Sequence, residues 1–381
     1  SWLLSRFKSL RDLLKLSVHR SILLYLVVAA GALFSGIFLT KTTSLNLGLL
    51  HWVRRVEYTF LFFAAYDFLK SKIQLPFIIR VFILVSLFVA IYGLGQQFFG
   101  LPVISTTNTE FAKGLALTLG PGARINSTFA GHYDLAAYSV FPLLLILGLL
   151  TLPGTRYKFL LLIAGLLIYW SLLLSASRVT FAAFYLTTGL FILIMRKFSW
   201  LIPLVIIAII SILATPQLLG RYREFVINHL LSGIPTAHAQ VDTEVADALK
   251  HPAIPEDRSL NIRLKAEWPR ALRSFLKNPV FGTGYSSVGL ATDNDYLRAL
   301  AETGFLGLAA FLLIIIRIFK SSIPFIVHFQ PSFETVFIIS STLFLTSLML
   351  NAVFIDVFEA SKIAIVTWTI LGLTEKAKTL I

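Results

Sequence analysis

Apolar residues run along the chain in ten long stretches, separated by short basic connections or by two extended polar segments. The stretches are 21–40, 46–69, 76–99, 132–152, 157–176, 178–196, 198–215, 294–318, 333–355 and 359–374. A helix needs about 20 apolar residues to cross the hydrocarbon core, so each stretch predicts a membrane-spanning helix. The second is the least regular, because Arg54, Arg55 and Glu57 interrupt it. The fold class that follows is all-α: a polytopic integral membrane protein of ten visible spans.

Basic residues collect on the cytoplasmic side of a membrane and so orient the spans. Arg6, Lys8, Arg11, Lys15 and Arg20 lead the chain. Lys70, Lys72 and Arg80, then Arg156 and Lys158, Arg196 and Lys197, Arg317 and Lys320, and Lys376 and Lys378 follow in alternate connections. These connections and both termini are predicted inside, which leaves 100–131 (with Lys113 and Arg124) and 216–292 outside. The expected organisation is membrane helices one to seven over 1–215, a periplasmic loop domain over 216–292, and helices eight to ten over 293–381.

The large loop opens on Arg221, Tyr222, Arg223 and Glu224 and passes through a polar stretch, Thr236 to Lys250, read as mobile. An amphipathic helix is predicted over 259–277, with Asp257 or Ser259 as its cap and Asn278-Pro279 as its stop. Gly282, Thr283 and Gly284 turn the chain back to the membrane. No internal repeat, heptad array or low-complexity tract is visible.

Composition agrees with the pattern. Hydrophobic residues make up 57% of the chain and charged residues 14%, against roughly 45–50% and about 25% in soluble domains. The mean hydropathy of +0.82 excludes a water-soluble fold. Cysteine is absent, which rules out disulfides, thiolate metal sites and a cysteine nucleophile. The net charge of +14 would suggest nucleic acid in a soluble protein. Here topology accounts for it, and the lipid bilayer, not nucleic acid, is the expected partner. No signal peptide is visible, since the first apolar stretch is long enough to span.

Four polar clusters fall on the predicted outer side. The first holds Arg124, His132 and Asp134 at the mouth of the fourth span. Ser175, Ser177 and Arg178 make the second, in the turn between spans five and six. The third is the loop helix with Arg258, Arg263, Glu267, Trp268, Arg270 and Arg273. The fourth runs Asp293, Asn294, Asp295 and Tyr296, with Arg298, Glu302, Gly304 and Gly307 further along.

Arginine's fork of donors suits phosphate oxygens, so several outward arginines fit a phosphate-bearing ligand; lipid headgroups or nearby acids would occupy them equally well. Arg178 stands near the membrane with serines for company and is a functional candidate by that placement. Arg263 and Glu267, four apart, could instead form a helix-surface pair. Asp293 could cap the eighth span. Glu302 lies two turns into that helix, where Arg298 or a proton would neutralise it. His132 and Asp134 are two apart and do not share a helical face, so they form no relay.

No phosphate loop, HExxH or complete dinucleotide fingerprint is present, and neither a metal site nor a cofactor is expected. An outward-facing transferase without a nucleotide site would need a lipid-linked donor. A transporter or channel selecting an anion with the same arginines is the alternative reading, and a non-catalytic scaffold a third.

Taken in order, the clusters resemble the O-antigen ligase and O-antigen polymerase superfamily of bacterial membrane glycosyltransferases. The matching pieces are Arg124, Ser127 to Phe129 and Asp134 to Tyr138; Ser175 to Arg178; Arg263, Trp268, Asn278, Pro279, Gly282 and Gly284; and Asp293 to Leu297 with Glu302, Gly304 and Gly307. The resemblance covers residues 120–381 and extends to the earlier spans only in hydropathy.

It implies transfer of a glycan from an undecaprenyl-diphosphate-linked oligosaccharide to a sugar hydroxyl on a glycan or lipid-linked acceptor. Inversion, no metal and no nucleotide are implied with it, at the outer face of the bacterial cytoplasmic membrane. Members have about twelve spans, of which ten are visible here; with Ser1 in place of Met, a missing N-terminal hairpin is the expectation. By the resemblance, Arg178 and Arg263 engage the diphosphate, and Asp293 stands where the family's ligases carry a histidine base. Arg124, His132, Arg258, Arg270, Asn294 and Glu302 complete the expected substrate-binding set. A carboxylate at 293 weakens assignment as a lipid A-core ligase and looks more like polymerase-type members; His132 is the reserve base.

Overall fold

The computed structural model describes residues 16–104, 119, 123–215, 219–220, 222, 262–289 and 292–381. Arg258, Lys113, Arg221, the Thr236–Lys250 stretch, the loop-helix start at 257–261 and Arg6, Lys8, Arg11 and Lys15 lie outside the described residues.

Among the described residues the regular structure is all helical. Helix α1 (Ser17–Phe34) runs into a π-turn (Ser35–Leu39), followed by α2 (Leu45–Phe68) and α3 (Leu75–Phe99). Next come α4 (His132–Thr151), α5 (Lys158–Leu174), α6 (Arg178–Ile194) and α7 (Leu201–Ala214). The loop contributes α8 (Trp268–Lys277), and the chain ends in α9 (Asp295–Val327), α10 (Phe333–Asn351) and α11 (Ser361–Lys378).

All ten apolar stretches lie on helices, but five are long and apolar enough to cross a membrane: Ser17–Leu39, Lys72–Phe99, His132–Thr151, Asp295–Val327 and Phe333–Asn351. Lys158–Leu174, Arg178–Ile194 and Phe198–Ala214 are apolar but shorter. Charge sets α2 and α11 apart, through Arg54, Arg55 and Glu57 in one and Glu375, Lys376 and Lys378 in the other.

Helices α4 and α10 form the centre, buried on nearly every side. Phe141 of α4 meets Phe337 and Phe344 of α10 at ring distances of 5.8 and 5.5 Å. Ser341 and Thr342 donate to the carbonyls of Phe337 and Ile338 one turn back, at 2.7 and 2.8 Å. Their hydroxyls are thus satisfied inside an apolar interior. Outermost is α7, which exposes Ile202, Val205, Ile206, Ile209, Ile210 and Leu213 and buries Ser211. An apolar face this continuous suits lipid rather than water.

The two ends of the bundle differ. At one, Lys378 bonds Glu375 at 2.6 Å, Lys376 lies 5.1 Å over Tyr66, and Arg317 donates to Ser17 O. At the other, the turns before α4, α6, α9 and α11 meet. Ser127 N donates to Gln96 Oε1 at 2.7 Å, Ile125 N to Leu174 O at 3.4 Å, Asp295 N to Ala352 O at 2.9 Å, and Lys362 to Thr128 O. The described residues of the four polar clusters belong to this second end.

Helix α9 is broken where it enters the bundle. Gly304 has φ 68° and ψ −172°, outside helical geometry, and the segment after α8 fills the gap. Thr283 N and Gly284 N donate to Ala301 O and Glu302 O, both at 2.9 Å. In return, Phe305 N and Leu306 N donate to Pro279 O and Val280 O at 2.8 and 3.3 Å. Irregular backbone at this depth persists only where protein satisfies its polar groups, and here it does. The π-turn of α1 braces the same segment, since Ser35 Oγ donates to Gly282 O at 2.7 Å and accepts from Asn278 Nδ2 at 2.8 Å.

Candidate functional site

Arg263 is the point of convergence. It opens a π-turn (Arg263–Glu267) closed by Trp268 N donating to Arg263 O. Pro269 follows and has no N–H for the usual i−4 bond, so the chain takes a wider turn before α8 settles. That turn buries Arg263 while Ile262 and Leu264 stay exposed. Its Nη2 and Nε donate to Asp293 Oδ2 at 2.7 and 3.2 Å. Tyr133, at the start of α4, is within hydrogen-bonding reach of the same guanidinium. Burial works against the charge, and Asp293 more than offsets it, so Arg263 is held above its ordinary pKa.

Asp293 adopts φ 48°, and its neighbour Asn294, not Asp293 itself, caps α9: Asn294 Oδ1 accepts from Leu297 N at 2.9 Å. The Asp293 carboxylate is thereby available to Arg263 and stays partly exposed. The turn is held from below by Asp356, a buried residue of the 352–360 loop that the sequence patterns did not single out. Thr292 N and Asp293 N donate to Asp356 Oδ2 at 3.3 and 3.2 Å, and Asn294 N to Oδ1 at 3.1 Å. Arg298 Nη2 completes the set at 3.0 Å. Successive N–H groups converging on one carboxylate form an anion nest built from the protein's own side chain.

This makes Asp356→Ala informative. The change removes an acceptor for three N–H groups and the nearest ion partner of buried Arg298. Breaking a buried pair costs about 3–5 kcal/mol, so the purified protein should melt at a clearly lower temperature. Asp356→Asn, which keeps the shape, should lose less. An unchanged melting temperature for Asp356→Ala would show that other contacts hold the turn.

Deeper in, a charge network explains the irregular second stretch. Arg55 of α2 points inward, pairs with Glu359, lies 4.0 Å from Glu302, and stacks 4.2 Å over the Tyr285 ring. Glu302 is 1% exposed, lies 3.8 Å from Arg298 and accepts from Ser286 N at 3.1 Å. Arg298, whose closer partner is Asp356, and Arg55 both lie within 4.0 Å of this carboxylate. Charges inside a membrane-spanning bundle turn to the interior and pair, as these do.

The other predicted residues fall as follows. Arg124 Nη1 and His132 Nε2 are 2.8 Å apart, beside Tyr133 and hence on the Arg263 side. Arg270 is exposed on α8. Arg178 begins α6, its carbonyl accepting from Tyr222 Oη at 3.1 Å. Thr180, half a turn on, donates to Asn351 Oδ1 at 2.6 Å at the end of α10. The loop that follows places Phe354 against Trp268, ring centres 6.4 Å apart. Arg178 and Arg263 therefore stand at the same end of the bundle.

A multi-pass helical membrane protein with buried arginines facing carboxylates at one end is the class that fold and site define. Residues 160–312 match the family model described as O-antigen ligase. This region, which holds Arg178, Arg263, Asp293, Asn294 and Glu302, is thus similar to the O-antigen ligase family, in support of the superfamily that the clusters resemble. No curated protein matches the chain.

Proposed function

We propose that the protein is a metal-independent, inverting glycosyltransferase moving a glycan from an undecaprenyl-diphosphate carrier to an acceptor sugar hydroxyl. The observation that carries this reading is the Arg263–Asp293 pair, both members of which lie within the family-matched region, with Tyr133 of the first cluster beside Arg263. Arg263 and Arg178 stabilise the diphosphate as the glycosidic bond breaks, an electrostatic task worth several kcal/mol. Asp293 takes the acceptor's proton, directly or through one water. Arg124, His132, Arg258, Arg270, Asn294 and Glu302 shape the surrounding site.

The chain crosses the bacterial cytoplasmic membrane ten times with both termini inside, and the site faces outward. Support comes from the helices at all ten apolar stretches and from basic residues gathered at the end opposite the site. With Asp293 in place of a histidine, polymerase is favoured over ligase. The transporter reading gains no support from the family match.

The deciding experiment uses the purified protein in liposomes with a lipid-diphosphate-linked oligosaccharide. Free undecaprenyl diphosphate and a transferred glycan are expected. Solute movement into empty liposomes without release of the carrier would replace this reading with transport.

A further inference from the structure

Glu267 closes the π-turn that Arg263 opens, and the two do not form the surface pair that their spacing suggests. Arg263 turns to Asp293 instead, and both its directed N–H groups fall on the single oxygen Oδ2. Glu267 is left beside this pair with Oε2 buried and without a hydrogen-bond partner. A buried, unpartnered carboxyl oxygen is costly, and a side chain kept in that state next to a reacting carboxylate invites a chemical explanation.

Among the described residues, charged groups reach Glu267 from its own segment and from two others. Arg263 and Arg270 lie on its own segment, Asp293 on the turn before α9, and Asp356 on the 352–360 loop. Burial, then the Asp293 charge, hold the Glu267 carboxyl above the ordinary carboxylate range, against the pull of Arg263. The surroundings thus favour a proton on Glu267 whenever one is delivered nearby.

We infer that Glu267 is the proton store of the site: Asp293 receives the acceptor's proton and passes it, through water, to the half-buried Glu267, whose Oε2 is enclosed and unpartnered. The inference rests on the glycosyl-transfer reading. In the step, the acceptor oxygen forms a bond to the anomeric carbon as the bond from that carbon to the phosphate oxygen breaks. The electron pair leaves with the diphosphate beside Arg263. The hydroxyl proton moves to Asp293 and then to Glu267, which clears Asp293 for the next acceptor and gives the proton up to bulk water before the next turnover. Glu267 acts through Asp293 and is a positioning residue for the proton, not a group that touches substrate.

The test is the pH dependence of kcat/KM for undecaprenyl diphosphate release in proteoliposomes. Glu267 must start each turnover unprotonated, so activity should fall as pH drops through its raised pKa, a limb lying above the ordinary glutamate value of about 4.3. Glu267→Gln should move that limb to lower pH and cost about tenfold in kcat, within the lower part of general acid–base effects. Glu267→Asp should keep part of the rate and of the limb. A merely structural glutamate would lower the amount of active protein without moving the limb.

An unmoved limb in active Glu267→Gln overturns the inference while leaving glycosyl transfer intact. Should that variant not fold, the wild-type profile alone decides: an acidic limb in the ordinary carboxylate range overturns the store as well. A wild-type protein that releases no undecaprenyl diphosphate removes both readings together.

Discussion

Arg263→Lys should lower glycan transfer by about 10²–10³-fold, the effect of removing one preorganised donor from a developing anion, while the protein still folds. Lysine keeps the charge, so Asp293 retains a cation at its Oδ2. What disappears is the planar fork. In the native site one edge of the guanidinium is spent on Asp293, and Tyr133 shares the rest. Only a group with several fixed donors can hold a carboxylate and meet phosphate oxygens at once. An ammonium on a flexible stem can satisfy one of these, and the carboxylate is already there.

The loss should therefore appear in kcat more than in the apparent affinity, because the missing contact matters most as charge builds on the leaving diphosphate. Comparison of release of undecaprenyl diphosphate by wild type and variant, at matched amounts of folded protein, is the measurement. A variant working at the wild-type rate would reduce Arg263 to a structural ion pair.

Much of this arrangement is written locally in the chain, and the parts that are not have definable causes. Helix positions follow from apolar run length alone, which is why all ten stretches lie on helices. Their ability to span is less evenly encoded, since α2 carries Arg54, Arg55 and Glu57 and α5 to α7 are short. Arg55 looks like a defect when α2 is read by itself. Its partner Glu359 lies 304 residues further on, and no local pattern reaches that far.

Asp356 and Glu359 carry no local motif for a related reason. Asp356 falls between two apolar runs and Glu359 opens the second of them; two acids within Phe354 to Ser361, next to a membrane edge, are the local signal. Glu267 was visible but misplaced. Spacing of four predicts a shared helical face only in an α-helix, and the π-turn ahead of Pro269 breaks that relation. The capping role considered for Asp293 belongs to its neighbour Asn294.

Gly304→Ala should leave little folded protein, because the backbone bonds that join the 279–284 segment to α9 flank this residue. With φ 68° and ψ −172°, Gly304 occupies a region that is essentially glycine's alone, and another residue there costs about 1–3 kcal/mol in backbone strain. A Cβ would also stand 2.3 Å from Val280 O and 2.6 Å from Gly282 N, both backbone atoms that no rotamer change can move. Relief requires the 279–284 segment to shift. That would break the bonds from Phe305 N and Leu306 N to Pro279 O and Val280 O, and those from Thr283 N and Gly284 N to Ala301 O and Glu302 O. Each buried backbone group left unpaired costs about 1–3 kcal/mol, so the total is comparable with the roughly 5–15 kcal/mol that separates folded from unfolded protein. Gly282 faces the same contact from the other side, its Cβ direction 2.5 Å from Glu302 O, so Gly282→Ala should fail similarly. Size-exclusion profiles of the detergent-extracted variants read the outcome. A monodisperse Gly304→Ala protein melting within a few degrees of wild type would mean that α9 can close over the break, and that the site does not depend on it.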